Sequence, residues 1–177
     1  IDLIKKGINV YSAHTNLDVT KGGVNEQLSR ALGLKNLKNL KKYKSERLLK
    51  LVVFVPKDSV DTVRDALGKA GAGWIGNYSD CTFSTEGIGT FKPLEGTNPY
   101  IGSQGNLEKV EEYRVETVVP ESIIDKVVSA MKSVHPYEEV AYDIYPLELS
   151  GKEYGLGYVG EVEEAVSLDE FIELVKN

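Results

Sequence analysis

The sequence predicts a mixed α+β protein whose central part is a sheet of four antiparallel strands with two helices on one face. A strand that ends at Pro56 and a strand that ends at Pro120, 64 residues later, are each followed by an amphipathic helix. In both copies the proline lies between strand and helix, where its missing N–H costs least. A further strand follows each helix. Two β-α-β units in tandem predict a ferredoxin-like sandwich.

The chain before this repeat is less regular. Residues 1–12 predict a strand, and a helix with one apolar face is expected from Val24, with Gly33 as its C-terminal stop. Seven lysine and arginine side chains then lie between Lys35 and Lys50. We interpret this segment as a solvated linker into a new domain, although a ligand that carries phosphate could also use its charge.

Within the repeat, the first copy predicts a strand over 49–56, a helix over 58–67 and a strand from Tyr78 that extends to Phe91. The second copy predicts a strand over 113–120, a helix over 121–131 and a strand over 140–147. The glycine-rich segment 84–105 is longer than a compact fold needs. Such a segment is typical of a lid or ligand clamp, or of a wide hairpin that crosses to a neighbouring subunit.

Near the end of the chain, Ser167 and Glu170 have the spacing of a capping box that begins a helix. The expected organisation is therefore a partial core domain over 1–46, a ferredoxin-like insert over 47–150 and the start of a second core half over 151–177. Because the sequence begins at Ile1 and not at Met, in a predicted strand entered without a turn, and its last predicted helix stops at Asn177, we expect both edges to be truncated.

Composition narrows the functional classes. The net charge is −6 and 41% of the residues are hydrophobic, which argues against nucleic acid as a general partner and against disorder. No apolar run approaches the length of a membrane span. The single cysteine, Cys81, cannot form an internal disulfide, so we expect a reducing, cytoplasmic location.

The first candidate site is the pair His14 and Asp18, four residues apart at the end of an apolar run. Imidazole and carboxylate are ligands for zinc, iron or manganese. A metal site needs at least three protein ligands, however, and the other histidine lies far along the chain. From spacing alone, a capping role for these two residues before the following helix is the favoured interpretation.

The second candidate site is the segment from His135 to Glu139, which includes Glu138. His135 and Glu139 could join the first pair around a metal if the fold brought them together, but Pro136 breaks helical geometry between them. A turn whose polar groups bind backbone is the favoured alternative.

Two G-x-G-x-x-G matches occur, at 71–76 and 155–160. A dinucleotide fingerprint follows a strand and opens a helix. The first match instead follows a predicted helix, and the second runs into a predicted strand. We therefore interpret these glycines as helix stops and tight turns.

Several segments together resemble a known family. Residues 10–18, followed by 22–25, resemble the central motif of the NGG-one-interacting factor three family, whose members carry the name GTP cyclohydrolase I type 2 homologue. Residues 71–78, 87–91, 98–102 and 135–143 are similar to the YqfO-type insert of its bacterial members, which has a fold related to the PII and CutA proteins. Residues 155–157 and 167–171 resemble the return into the second half of the core.

This resemblance implies that Asp18 is a ligand of a dinuclear metal centre and that His14 is a ligand or close neighbour. It implies two divalent ions, zinc, iron or manganese, in each complete parent chain. The paired histidines and the closing His and Glu ligands of the family are not found in this sequence. His135 and Glu139 belong to the insert, so we expect the metal site to be incomplete in this chain.

The resemblance also implies a function. The parent is expected to be a metal-dependent hydrolase acting on a nucleotide or phosphorylated small molecule, with the insert as a lid and His135, Glu138 and Glu139 as lid or ligand contacts; the fragment itself is expected to be inactive. The alternative is a PII-like module that senses a small molecule without catalysis. The family further implies a ring-like homo-oligomer, a hexamer in the parent.

Overall fold

The structure, a computed structural model, describes residues 1–176. The chain forms two compact units. The central unit comprises residues 46–151, and the terminal unit comprises residues 1–45 together with the segment that begins at Lys152. The boundaries between the two units fall inside two long strands.

The helices are α1 (Asp2–Lys5), α2 (Asn16–Val19), α3 (Val24–Ala31), α4 (Val60–Ala70), α5 (Ile124–Val134) and α6 (Leu168–Lys176). The strands are β1 (Lys35–Pro56), β2 (Thr82–Phe91), β3 (Glu108–Pro120) and β4 (Tyr142–Glu161). Single turns of 3₁₀ helix, Lys57–Ser59 and Glu121–Ile123, connect β1 to α4 and β3 to α5.

The four strands form one sheet in the order β2-β3-β1-β4. The third strand, β3, is antiparallel to both of its neighbours, and Val115 is paired with Val53 of β1 and with Ser84 of β2. Helix α4 lies between β1 and β2 in the sequence, and helix α5 lies between β3 and β4. This is the split β-α-β arrangement, so the predicted ferredoxin-like topology is confirmed.

The internal repeat is visible in the backbone. Pro56 and Pro120 have φ angles of −55° and −58°, and each precedes a 3₁₀ turn and then an 11-residue helix. Those helices begin at Val60 and Ile124, again 64 residues apart. Because proline fixes φ near this value and lacks an N–H, it ends the ladder of each strand at the same point.

The core of the central unit lies between the helices and one face of the sheet. Its helix residues are Val60, Val63, Leu67 and Ala70 of α4 and Val127 and Met131 of α5, and its strand residues are Leu51, Val53, Val55, Val115 and Val119. The strand members alternate along β1 and β3, as expected for residues that share one face of a sheet. The intervening residues Lys50, Arg114 and Glu116 form ion pairs on the other face.

The glycines at 71–76 act as expected. Gly71 ends α4 in the left-handed region, with φ of 108°, and a Cβ on Gly73 would overlap the backbone of Cys81. The second match, 155–160, lies within β4. Neither segment opens a helix, which a dinucleotide fingerprint requires.

In the terminal unit, the predicted helix and its stop are confirmed by α3. Gly33 has φ of 71°, and the Leu34 N–H donates to the Ser29 carbonyl at 3.0 Å. The capping box of α6 is also present, because the Glu170 carboxylate accepts hydrogen bonds of 2.8 Å from both the backbone N–H and the hydroxyl of Ser167.

Two predictions for the terminal unit are wrong. Residues 1–12 are not a strand, because the short helix α1 forms there. Its backbone groups are hydrogen-bonded locally, as in the bond from the Lys5 N–H to the Ile1 carbonyl, and not to a neighbouring strand. The basic segment is not a linker but the first half of β1. Its neighbour β4 supplies Glu153 and Glu161 as partners for Lys42 and Asn36, so the charged side chains are held at the surface of a strand.

Among the described residues, no helix combines the length and the apolar character that crossing a membrane requires.

Candidate functional site

The central unit contains a cavity of about 390 Å³, which we call the central cavity. Its aromatic lining residues are Phe54, Phe91, Tyr100 and Tyr137, and its acidic lining residues are Glu112, Glu138 and Glu139. Pro93, Thr97, Pro99 and Ile101 contribute from the connection between β2 and β3. The long glycine-rich segment singled out in the sequence therefore supplies one wall of the cavity.

A hydrogen bond between Tyr137 and Glu112 is the main polar feature of this lining. The Tyr137 hydroxyl donates to Oε1 of Glu112 at 2.8 Å, and Glu112 is only 8% exposed. Burial raises the pKa of Tyr137 well above its ordinary value, and the hydrogen bond to Glu112 and the charge of that carboxylate raise it further. Tyr137 therefore stays protonated and remains a donor.

The second oxygen of Glu112 is different. No side chain or backbone N–H of the described residues donates a hydrogen bond to Oε2 of Glu112. This oxygen lies against Gly89 of β2, where a Cβ would overlap it. The absence of a side chain at Gly89 thus makes room for the Glu112 carboxylate, and both residues line the central cavity.

His135 supports the cavity without lining it. Its Nε2 lies 3.0 Å from the Phe54 carbonyl oxygen, and its Nδ1 accepts the Tyr137 backbone N–H at 3.1 Å. A carbonyl oxygen can only accept, so Nε2 carries the proton and the ring is neutral. Burial lowers the pKa of His135, against the opposing effects of the Phe54 hydrogen bond and the Glu112 charge.

The aromatic rings pack around Tyr137. Its ring centroid lies 5.8 Å from that of Phe91 in an edge-to-face arrangement, 6.2 Å from that of Tyr100 and 5.2 Å from the His135 ring. Such arrangements are favourable beyond the area that they bury. The Tyr137 side chain is therefore held in place from several sides.

Of the residues singled out in this segment, Glu138 and Glu139 line the central cavity, whereas His135 contacts it through Tyr137. The Glu138 carboxylate also accepts the backbone N–H of Asn98, at 3.1 and 3.2 Å from its two oxygens. Glu138 therefore fastens the connection between β2 and β3 to the segment that follows α5.

His14 and Asp18 lie in the terminal unit, on either side of the start of α2. His14 is exposed and Asp18 is partly buried. Their backbone carbonyls accept hydrogen bonds. The Asp18 carbonyl accepts one from the Asn25 side-chain amide at 2.9 Å, and the His14 carbonyl accepts one from the Leu17 N–H at 3.1 Å. Within residues 1–176, no three His, Cys, Asp or Glu side chains are grouped closely enough to hold a metal ion.

The terminal unit has a cavity of its own, of about 680 Å³, with a basic lining. Its charged residues are Lys21, Lys38, Lys42, Lys152 and Arg30, with Glu26 and Glu153. Glu26 accepts the Gly22 N–H at 2.7 Å and pairs with Arg30 at 2.7 Å, and these contacts lower its pKa. Two of the cations are thus paired with carboxylates, Arg30 with Glu26 and Lys42 with Glu153.

The sequence interpretation missed Glu112 and Gly89. In β3 the buried positions Val115 and Val119 alternate with charged residues, and Glu112 has the same parity as the charged set. The alternation of the strand therefore predicts that the Glu112 side chain faces solvent. The available signal was the pair of adjacent carboxylates Glu111 and Glu112 within the strand, which does not distinguish the two faces.

The sequence is similar to proteins of one family. A model of the family described as Duf34/NIF3 (NGG1p interacting factor 3) matches residues 1–177. A GTP cyclohydrolase 1 type 2 homolog of Halalkalibacterium halodurans is 57% identical over 98% of this chain and 46% of its own length. The Bacillus subtilis homolog of the same name is 53% identical over 98% of this chain and 47% of its own length.

Among solved structures, a Bacillus cereus protein related to NIF3 has 54% identity and a TM-score of 0.88, covering 98% of this chain and 45% of that chain. A Staphylococcus aureus protein has 29% identity and a TM-score of 0.57, covering 98% of this chain and 43% of that one. The chain spans slightly less than half the length of these relatives. Because the family model matches the full sequence, the chain belongs to the Duf34/NIF3 family.

Proposed function

We propose that the central unit is a small-molecule-binding module of a Duf34/NIF3 protein, in the manner of a PII-like regulatory module. The observation that carries the proposal is the central cavity, in which the buried carboxylate of Glu112 presents an oxygen that no described residue hydrogen-bonds. A cavity of a few hundred cubic ångströms with an apolar lining and a few oriented polar groups is typical of ligand sites.

Binding fits the local chemistry better than catalysis does. His135 is the one imidazole beside the cavity, and both of its nitrogens are hydrogen-bonded to backbone groups. A general base needs a free nitrogen within reach of its substrate. Tyr137 is held protonated, so it too serves as a donor and not as a base.

The experiment is a ligand-observed NMR screen of a small-molecule library against the chain, followed by a cavity-filling variant. Ala141→Trp places a large ring in the lining, and Ala165→Trp adds the same ring at an exposed position of the terminal unit. We expect hits to lose binding with the first variant and keep it with the second. Binding that survives Ala141→Trp, or an absence of hits, contradicts the proposal.

A second candidate function concerns a whole protein of the relatives' length, which is about twice the length of this chain. The relatives' name, GTP cyclohydrolase 1 type 2 homolog, refers to hydrolysis of a nucleotide, and we propose for the whole protein a metal-dependent hydrolase acting on a nucleotide or phosphorylated small molecule. His14 and Asp18 would contribute two ligands for zinc, iron or manganese. The residues described here do not by themselves fit a dinuclear centre, since no group of three candidate ligands is present among them.

The two candidates are separated by one substitution. In a full-length protein that contains this chain, loss of metal-dependent hydrolysis in Asp18→Ala would favour the hydrolase. Ligand binding that survives Asp18→Ala and is abolished by Ala141→Trp favours the regulatory module. The homo-oligomeric ring, a hexamer in the parent, and the cytoplasmic location stay predictions; mass photometry of the full-length protein tests the assembly.

A further inference from the structure

We propose that the ligand of the central cavity is a small organic cation, a protonated amine carried on an apolar body. This inference rests on the proposed function, because it assigns a chemical class to the ligand of the same cavity. Three features of the lining support it: its charge, its aromatic rings and the hydrogen bonding of the Glu112 carboxylate.

The charge of the lining has one sign. Glu112, Glu138 and Glu139 are its charged side chains, and lysine, arginine and histidine are absent from the lining residues that the structure describes. Arg114, the strand partner of the lining residue Phe54, is paired with Glu116 at 3.1 Å. A phosphate or carboxylate ligand would meet like charge here, whereas a cation meets complementary charge.

The aromatic rings favour an organic cation over a metal ion. Phe91, Tyr100 and Tyr137 form a contiguous cluster with centroid separations of 5.8 and 6.2 Å. The negative faces of such rings attract ammonium and guanidinium groups. Calcium and magnesium instead require six or more oxygen ligands, which an apolar lining does not provide.

The carboxylate of Glu112 supplies the directional contact. Tyr137 occupies its Oε1, which fixes the plane of the carboxylate and leaves Oε2 available against Gly89. A carboxylate that is 8% exposed gains from both a hydrogen-bond donor and a counter-charge, and Oε2 of Glu112 has no donor among the described residues. The N–H groups of a protonated amine satisfy both needs at once, with a charge-assisted hydrogen bond.

The test uses three probes of nearly equal shape on the unmodified 177-residue chain: benzylamine, benzyl alcohol and benzoate. Isothermal titration calorimetry near neutral pH gives the dissociation constant of each. We expect benzylamine to bind at least about tenfold more tightly than benzyl alcohol, because a hydrogen bond between two charged groups is stronger than one between a neutral donor and a charged acceptor. Benzoate should bind most weakly of the three.

A matched pair of variants then locates the charge. Glu112→Gln keeps the size of the side chain but removes its charge, and we expect it to abolish the preference for benzylamine over benzyl alcohol. Glu148→Gln removes one charge from an exposed site that does not line the cavity, and it should keep the preference. The near-ultraviolet circular dichroism spectrum of each variant establishes that the fold is retained.

Other outcomes overturn the inference. Equal binding of the amine and the alcohol, preference for benzoate, or no binding by any probe at millimolar concentration each contradicts a cation site. Failure of the proposed function gives a different result, because in that case no library compound loses binding in the Ala141→Trp variant. A neutral or anionic hit that Ala141→Trp displaces would keep the ligand-binding module and reject the cation.

Discussion

The hydroxyl of Tyr137 donates a 2.8 Å hydrogen bond to Oε1 of Glu112 and so links the segment after α5 to β3. The partner of this bond is a carboxylate that is 8% exposed. The bond therefore connects two segments of the chain and fixes one oxygen of Glu112, a residue that lines the central cavity.

The first prediction concerns the removal of this donor. Tyr137→Phe deletes one hydroxyl and leaves a buried carboxylate without its only hydrogen-bond donor among the described residues. Loss of a bond to a buried charged group costs about 1.5–3 kcal/mol. We expect the free energy of unfolding, measured by urea denaturation, to fall by roughly that amount.

The chain offers a matched control. Tyr145 also donates to a carboxylate, Asp143 at 3.2 Å, but both side chains are exposed. Tyr145→Phe should therefore change the free energy of unfolding by less than about 0.5 kcal/mol. If the two variants lose equal stability, burial of the Tyr137–Glu112 pair has no special role.

The second prediction is a pH dependence of stability that originates at His135. Its pKa in the folded state is lowered by burial, whereas the unfolded chain titrates near the ordinary value of 6.5. Below pH 6.5 the unfolded state therefore binds more protons than the folded state. The stabilisation that a neutral His135 provides is complete above pH 6.5 and is lost as the pH falls towards the folded-state pKa.

We expect the free energy of unfolding to decrease between pH 6.5 and pH 5 in the unmodified chain, and to decrease less steeply in His135→Gln. The other histidine, His14, is exposed, so His14→Gln should keep the slope of the unmodified chain. Chemical denaturation at half-unit pH intervals measures all three. A slope that follows His14 instead would assign the effect to the terminal unit.

The part of the fold that could be predicted from sequence is the part that repeats. Pro56 and Pro120 mark equivalent points in two β-α-β units, and the helices that follow obey a 3.6-residue period with one apolar face. Both signals are local. Because two such units have few ways to share one sheet, the topology follows from them.

What could not be predicted depends on contacts between distant segments. Glu112 has the parity of a solvent-facing strand residue, yet the connection that contains Pro99 and Tyr100 lines the same cavity and shields it. The basic first half of β1 has no apolar alternation, so its strand conformation comes from pairing with β4. In both cases contacts between segments distant in sequence determine the burial or the conformation, which the local sequence pattern does not.

The third prediction concerns metal content. His14 and Asp18 supply two side chains of the type that binds zinc, iron or manganese, and a tightly held ion needs at least three protein ligands. We expect the purified 177-residue chain to contain well below two equivalents of transition metal by inductively coupled plasma mass spectrometry after dialysis. Two ions for each chain, retained by the unmodified protein and lost in Asp18→Asn, would contradict this expectation.

The fourth prediction compares two glycines of β2. A Cβ at Gly89 would overlap Oε2 of Glu112, whereas a Cβ at Gly87 meets nothing within 4 Å. Both are strand positions outside the left-handed region. We therefore expect Gly89→Ala to lower the free energy of unfolding by about 1–3 kcal/mol, the usual cost of overpacking. Gly87→Ala should be neutral or stabilising by up to about 1 kcal/mol.

A double-mutant cycle identifies the cause of that difference. If the methyl group at position 89 acts by displacing the Glu112 carboxylate, the cost of Gly89→Ala should shrink to less than about 0.5 kcal/mol in a Glu112→Ala background. Gly89→Ala should also abolish the preference for benzylamine over benzyl alcohol, while Gly87→Ala keeps it. A cost that is unchanged in the Glu112→Ala background would place the strain in the β2–β3 ladder and separate Gly89 from the cavity.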